Sequence, residues 1–426
     1  MKYSIVTFGC RVNQADSFAI EEELRRRGDE ASAPGDADLV VVNTCSVTAA
    51  ADQGARQAIR RIVRSNPDVK VVVTGCYATR RPGDFRELPN IVRLVSNSRK
   101  DSLVAQLDLE GELTTAVRFS GADGPCGMRL EPGVAGRTAL TLRVQTGCDE
   151  QCSYCIIPST RGSGRSRPIV EVLREVGRAV QAGYREIAIT GVHLGSYGRD
   201  IGDGTTLTGL VQELSEWPDD VVFRISSLEP MDCTEDIIEI AALSARIAPH
   251  FHLPLQHGSD AILAAMRRPY TARHYGTVVE SIRARIPHSS IGSDIIVGFP
   301  GETRGDFMAM THLLETLPLT YLHVFPYSDR PGTAAAAMAD KVGGSVVRDR
   351  AQIIRNIAAL KSDEFRRTQV GRNMKALTVD DGASVLTGNY LKVRLSEPQP
   401  RNFWVTVQIE SADPLTGIVV GGTLLH

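Results

Sequence analysis

Gln145-Thr146-Gly147-Cys148-Asp149-Glu150-Gln151-Cys152-Ser153-Tyr154-Cys155 follows a strand-like run at 138–144 and sets three cysteines in a C-x-x-x-C-x-x-C spacing on one short loop. Three thiolates so placed can hold three irons of a [4Fe-4S] cluster, whereas ordinary electron-carrying clusters take four cysteines. One iron is then left open. An open iron can chelate the amine and carboxylate of S-adenosylmethionine, and a reduced cluster touching its sulfonium can break the carbon–sulfur bond to give a 5′-deoxyadenosyl radical. The alternative is a structural zinc site, which wants four closed ligands. Cys126 or Cys233 would then have to supply the fourth. A strand that runs straight into such a loop puts the chemistry at its carboxyl end, where parallel α/β sheets and barrels carry their sites.

The amino-terminal third repeats that arrangement. Cys10, Cys45 and Cys76 each end a short apolar run, at 5–10, 39–45 and 71–76, and such runs read as buried strands. Helical patterns at 17–27 and 49–64 lie between them, so the segment repeats a strand–helix unit and the strands are parallel. Three cysteines far apart in sequence therefore converge on one sheet edge. Burial as small hydrophobes does not explain why all three follow strand ends, and a second three-thiolate cluster is the better reading.

Strands and helices alternate again from about 138 to 325. Strands are expected at 138–144, 186–190, 221–225, 250–255, 291–297 and 321–325, with crossover helices that make a parallel α/β layer or partial barrel. Polar and Gly-rich signals fall at the strand ends and outline one rim: 190–195, 226–230, 253–259, 293–294, 298–303 and 325–328. His193, His252 and His257 are each isolated among apolar neighbours, which reads as polar packing or substrate contact rather than metal ligation. From about 371 the helical period stops, and short β-rich runs separated by Asp381-Gly382, Gly388-Asn389 and 398–400 suggest a small five-stranded barrel. The expected organisation is an α/β amino-terminal domain at 1–120, a Gly/Pro-rich linker at 121–136 holding Cys126 as a free thiol, a partial barrel at 137–370 and the small barrel at 371–426.

The 426 residues are too many for one core, and 42% hydrophobic content supports ordinary globular packing. No stretch approaches the ~18 uninterrupted apolar residues that span a bilayer, and the start at Met1-Lys2-Tyr3-Ser4 has no signal-peptide pattern. With six of eight cysteines in two ligand-like triplets, the expectation is a reducing cytoplasm and no membrane. A net charge of −2 decides nothing about nucleic acid. Arg161, Arg165 and Arg167, in a loop expected to be flexible beside the first triplet, are the candidate phosphate contacts. The arginines along 346–368 interleave with acids and read as a solvated face.

Taken together, Gly9-Cys10, Asn43-Thr44-Cys45, Gly75-Cys76, the Cys148–Cys152–Cys155 loop, Ser226-Ser227-Leu228-Glu229-Pro230, His252-Leu253-Pro254-Leu255-Gln256 and Gly298-Phe299-Pro300-Gly301-Glu302-Thr303 resemble the radical S-adenosylmethionine methylthiotransferases from end to end. The resemblance implies a methylthiotransferase domain, a radical (β/α)6 partial barrel and a terminal TRAM barrel. It implies two [4Fe-4S] clusters, a radical-generating one on Cys148, Cys152 and Cys155 and a sulfur-donating one on Cys10, Cys45 and Cys76, with two S-adenosylmethionine molecules used per turnover. Around S-adenosylmethionine it points to Tyr154, Gly191, Ser226, Glu229, Gln256 and Asp294, within the strand-end regions at 191 and 292–298. The residues beside Cys10, Cys45 and Cys76 look most like the branch acting on N(6)-threonylcarbamoyladenosine at tRNA position 37. The isopentenyladenosine branch and the branch modifying a ribosomal-protein aspartate are its alternatives, and an iron–sulfur RNA-binding redox sensor is a distant one. Expected partners are a tRNA anticodon loop and an electron donor such as flavodoxin or ferredoxin, for a monomer or weak dimer. His257 stands where the family commonly has serine, and Cys233 has no family role.

Overall fold

A computed structural model describes residues 1–46, 49–108, 138–379 and 382–423. The expected linker, with Cys126, lies outside the described residues. Two compact units emerge: Met1–Leu130 with Thr146–Asp149 and Ile156–Ser163, and Glu131–Gln145 with Glu150–Cys155 and Gly164–His426.

The first unit is built on β1 (Lys2–Thr7), β2 (Glu30–Ala31), β3 (Leu39–Thr44), β4 (Lys70–Gly75) and β5 (Ile91–Val95), in the order β2-β1-β3-β4-β5. Every pairing is parallel. Successive side chains of a strand leave opposite faces, and β3 is buried at every position because both faces are covered. Val40 and Val42 pack with Ile59, Val71, Val73 and Phe85 on one side. Leu39 and Val41 pack with Tyr3, Ile20, Leu24, Val72 and Leu103 on the other. The register sets Thr7 beside Asn43, Asn43 beside Thr74 and Thr44 beside Gly75, so these strands end level. The helix expected at 17–27 runs Arg11–Arg26 instead. Its first turns bury polar Asn13, Asp16 and Ser17 among Val12 and Ala15, which hides them from an apolar period.

In the second unit, β6 (Leu140–Arg143), β7 (Glu186–Thr190) and β8 (Val222–Ile225) form one parallel sheet, while β9 (His250–His252), β10 (Ser290–Val297) and β11 (Tyr321–Pro326) form another. A parallel bridge from Phe223 to Ile247 and a bond from the Leu228 N–H to the His252 carbonyl (2.9 Å) join the two. The strands thus curve in chain order into the expected partial barrel. The last strands are β12 (Asn373–Val379), β13 (Ser384–Thr387), β14 (Lys392–Leu395), β15 (Trp404–Ala412) and β16 (Val419–Thr423). They close into a barrel in the order β12-β13-β14-β16-β15 around Ala376, Val385, Val393, Val407 and Ile409. No helix among the described residues is long and apolar enough to cross a membrane.

Candidate active site

The level strand ends of the first unit deliver Cys10, Cys45 and Cys76 to one edge, with Cys45 and Cys76 buried and Cys10 exposed. Gly9 makes this approach possible. It holds φ +95°, and a Cβ there would lie 2.4 Å from the Cys45 sulfur, so a side chain would both strain the backbone and collide with the thiol. Buried cations lie beside these sulfurs. Arg161 Nη2 donates to Asp16 (2.9 Å) and to Asn13 Oδ1 (2.6 Å), and Lys100 Nζ donates to the same Asp16 oxygen (2.8 Å) and to Asn43 (3.1 Å). Asn97 Nδ2 lies 3.5 Å from Cys76 Sγ. Burial works to lower the pKa of Arg161, but Asp16 and then the thiols of Cys76 and Cys10 outweigh it and hold the group charged. For Lys100 burial prevails, and its pKa falls despite Asp16. Arg161 and Lys100 thus share one carboxylate, and charged Arg161 lies beside the sulfurs. That is the counter-charge an anionic thiolate-ligated cluster requires, so the residues present fit the group.

Arg161 therefore corrects an expectation. It sits at the end of a short helix, Ile157–Arg161, and is 6% exposed with its guanidinium committed to Asp16, so it cannot reach a phosphate. Arg165 is exposed. Arg167 is half-buried and paired with Glu175 at 2.5 Å.

In the second unit the Cys155 N–H donates to the Cys152 carbonyl (3.1 Å), and Arg268 Nη1 stands 3.1 Å from Cys152 Sγ. Arg268 also binds Glu229 and the Tyr270 hydroxyl. Nothing in the local sequence marks it, because Glu229 and Cys152 are 39 and 116 residues away. Burial pushes the Tyr154 hydroxyl pKa well up, against the pull of Arg268, so the phenol stays neutral. At the carboxyl end of β8, the Ser226 hydroxyl is buried with no hydrogen-bond partner among the described residues. Gln256 holds a left-handed φ of +67° while its N–H and carbonyl pair with Asp294 and Ile296 (2.9 and 2.8 Å). A non-glycine residue in that region costs about 1–3 kcal/mol and concentrates at functional sites. A charged arginine beside a thiol and an unused buried hydroxyl suit an anionic cluster and a polar amino-acid ligand.

Two of the histidines are packing groups. His193 Nε2 lies 2.9 Å from Asp232, and fully buried His257 accepts the Ser259 N–H (3.0 Å) and faces Glu302 at 3.5 Å. His252 differs: its Nε2 and the Nδ1 of His323 both approach Asp294 Oδ1, at 3.0 and 3.1 Å. Burial alone would raise the Asp294 pKa, but the hydrogen bonds and charges of the two imidazoles bring it down to about 2. His323 gave no signal in the sequence.

A family model described as uncharacterized protein family UPF0004 matches residues 2–97, and one for the radical SAM superfamily matches residues 142–314. The curated threonylcarbamoyladenosine tRNA methylthiotransferase MtaB of Aquifex aeolicus is 34% identical over 92% of this chain and 96% of that protein. Its Bacillus subtilis namesake is 37% identical over 81% and 77%. The tRNA-2-methylthio-N(6)-dimethylallyladenosine synthase of Thermobifida fusca is 32% identical over 89% and 78%. Among solved structures, the radical S-adenosylmethionine methyltransferase TsrM of Kitasatospora setae aligns with a TM-score of 0.56 at 16% identity, over 79% of this chain and 74% of that one. At that identity the likeness speaks for the fold alone. The long curated matches, joined to both domain models and the cysteine pattern, show that this chain is an enzyme of the radical S-adenosylmethionine methylthiotransferase family.

Proposed function

We propose that the enzyme methylthiolates carbon-2 of adenine in N(6)-threonylcarbamoyladenosine at tRNA position 37. The observation that carries this reading is the second set of thiols: Cys10, Cys45 and Cys76 leave one sheet edge beside buried Arg161 and Lys100. A reaction that inserts sulfur needs a sulfur source besides the radical-generating cluster, and such a set could hold it. In this reading Cys148, Cys152 and Cys155 hold the radical-generating [4Fe-4S] cluster and Cys10, Cys45 and Cys76 the sulfur-donating one. When bound, the first supplies the electron that cleaves S-adenosylmethionine and the second supplies sulfur.

The protein's own groups do the rest. Arg268 balances charge at Cys152 and fixes Glu229. The unused hydroxyl of Ser226, the strained turn at Gln256 and the closely packed Gly191 line the strand ends where S-adenosylmethionine would be cradled, with Tyr154 and Glu229 nearby in sequence to the cluster loop and rim. Arg165 and Arg167 remain for RNA phosphates. A flavodoxin-like or ferredoxin-like donor would supply electrons. The adenosine branch rests on the names of the Aquifex and Bacillus relatives, while the Thermobifida relative favours a second reading, the same reaction on an isopentenyl-type adenosine. Mass spectrometry of tRNA nucleosides from cells lacking and then regaining this chain tests it. The 2-methylthio form of threonylcarbamoyladenosine should vanish and return. Loss of the isopentenyl product alone would move the enzyme to the second branch.

A further inference from the structure

We propose that His252, Asp294 and His323 form a binding site for a hydrogen-bonding substituent on the acceptor base, with His323 as the group that touches it. This rests on the substrate reading above and deepens it. The three ligand atoms lie within 4.8 Å of one another. Strand pairing sets Asp294 opposite His323 and Gly292 opposite Tyr321. A Cβ on Gly292 would fall 1.8 Å from the Tyr321 ring, so the missing side chain lets that ring lie across β10. From there the Tyr321 hydroxyl meets His252 Nδ1 (3.0 Å) and His250 Nε2 (2.9 Å).

One set of tautomers gives this hydrogen-bonded chain directions that agree. His250 Nε2–H donates to the Tyr321 oxygen, the Tyr321 O–H donates to His252 Nδ1, and His252 Nε2–H donates to Asp294. His323 Nδ1–H donates to the same carboxylate oxygen. Each member of the chain has its partner within the chain. The chain also consumes both nitrogens of His252, which is buried, and only one nitrogen of His323, whose side chain is 56% exposed. His323 Nε2 therefore faces outward. In the neutral ring it accepts from an N–H or O–H, and in the protonated ring it donates to an anionic oxygen. Two residues on, Phe325 emerges from the same face of β11, 38% exposed, with its ring 6.4 Å from that of His323. An exposed aromatic ring is a stacking surface for a base.

A threonylcarbamoyl group carries N–H, O–H and carboxylate partners for His323. An aliphatic isopentenyl group carries none, and would leave the outer nitrogen of His323 covered and without a partner. Sites built to hydrogen-bond a substrate group reject analogues that lack it.

The test uses full-length, reconstituted enzyme and two anticodon stem-loops that differ only in carrying threonylcarbamoyladenosine or plain adenosine at position 37. Binding is measured without reductant, and iron content and circular dichroism check folding. Wild-type enzyme should prefer the modified RNA by about tenfold, the worth of one good hydrogen bond to a partly charged group. His323→Leu should bring the ratio close to one, and His323→Gln, which keeps a polar terminus, should retain part of it. A folded leucine variant with the wild-type ratio overturns this site while leaving the substrate reading standing. A wild-type enzyme that modifies only isopentenyl RNA overturns both. A stoichiometric zinc or iron lost with His323→Leu, beyond the cluster iron, overturns the site in favour of metal ligation.

Discussion

Cys233 is buried, and burial, followed by Glu235 and Asp232, pushes its thiol up to about 12. The thiolate is the reactive species, so this cysteine is inert at ordinary pH. In protein stripped of iron, iodoacetamide at pH 8 should label exposed Cys10 quickly and leave Cys233 untouched until denaturant is added, as read by peptide mass spectrometry. Rapid labelling of Cys233 in folded protein would contradict its placement. At this scale the sequence pointed to candidate reactive residues but not to their surroundings. Cysteine spacing is local and therefore readable. Arg161 pairs with Asp16, 145 residues away, so its burial could not be seen, and a loop arginine beside glycines looked free. Arg268 and His323 were missed for the same reason: each matters through partners that only the fold supplies.

Strands were legible as apolar runs because a parallel sheet covered on both faces needs no alternation. The start of helix Arg11–Arg26 and the short helix Ile157–Arg161 were not, since both bury polar groups, Asn13, Asp16 and Ser17 in one and Thr160 and Arg161 in the other. Helix Arg304–Thr316 shows the opposite case, a start written in the sequence. The Thr303 hydroxyl accepts the Asp306 N–H (3.2 Å) and the Asp306 carboxylate accepts the Thr303 N–H (3.0 Å), a reciprocal capping box. Thr303→Ala leaves an orphan amide and should cost about 1 kcal/mol, within the usual ~0.5–2 kcal/mol for a lost cap. Urea unfolding under anaerobic conditions measures it. An unchanged midpoint would mean that the bonds to Ser259 and Glu302 fix this helix start without the cap.

Across the second unit, the terminal barrel packs at the amino ends of the partial-barrel strands. Tyr390 lies 4.7 Å from the His250 ring, and the Arg224 guanidinium sits over Tyr390 at 4.8 Å. Arg224 also donates to the Gly388 carbonyl (2.8 Å) while held by Glu186 (3.0 Å). Ser226 and Gln256 lie at the opposite rim. The two sets of thiols lead to a prediction for the whole chain. Three cysteines per [4Fe-4S] cluster predict about eight irons and eight sulfides in anaerobically reconstituted protein. Replacing Cys148, Cys152 and Cys155 together with Ala should halve the iron and abolish S-adenosylmethionine cleavage. Replacing Cys10, Cys45 and Cys76 with Ala should also halve it, yet leave cleavage measurable while methylthiolated product disappears, because the radical loop and its Arg268 are untouched. Full iron in either triple variant, or zinc in place of iron, would show that the sulfurs had been assigned to the wrong chemistry.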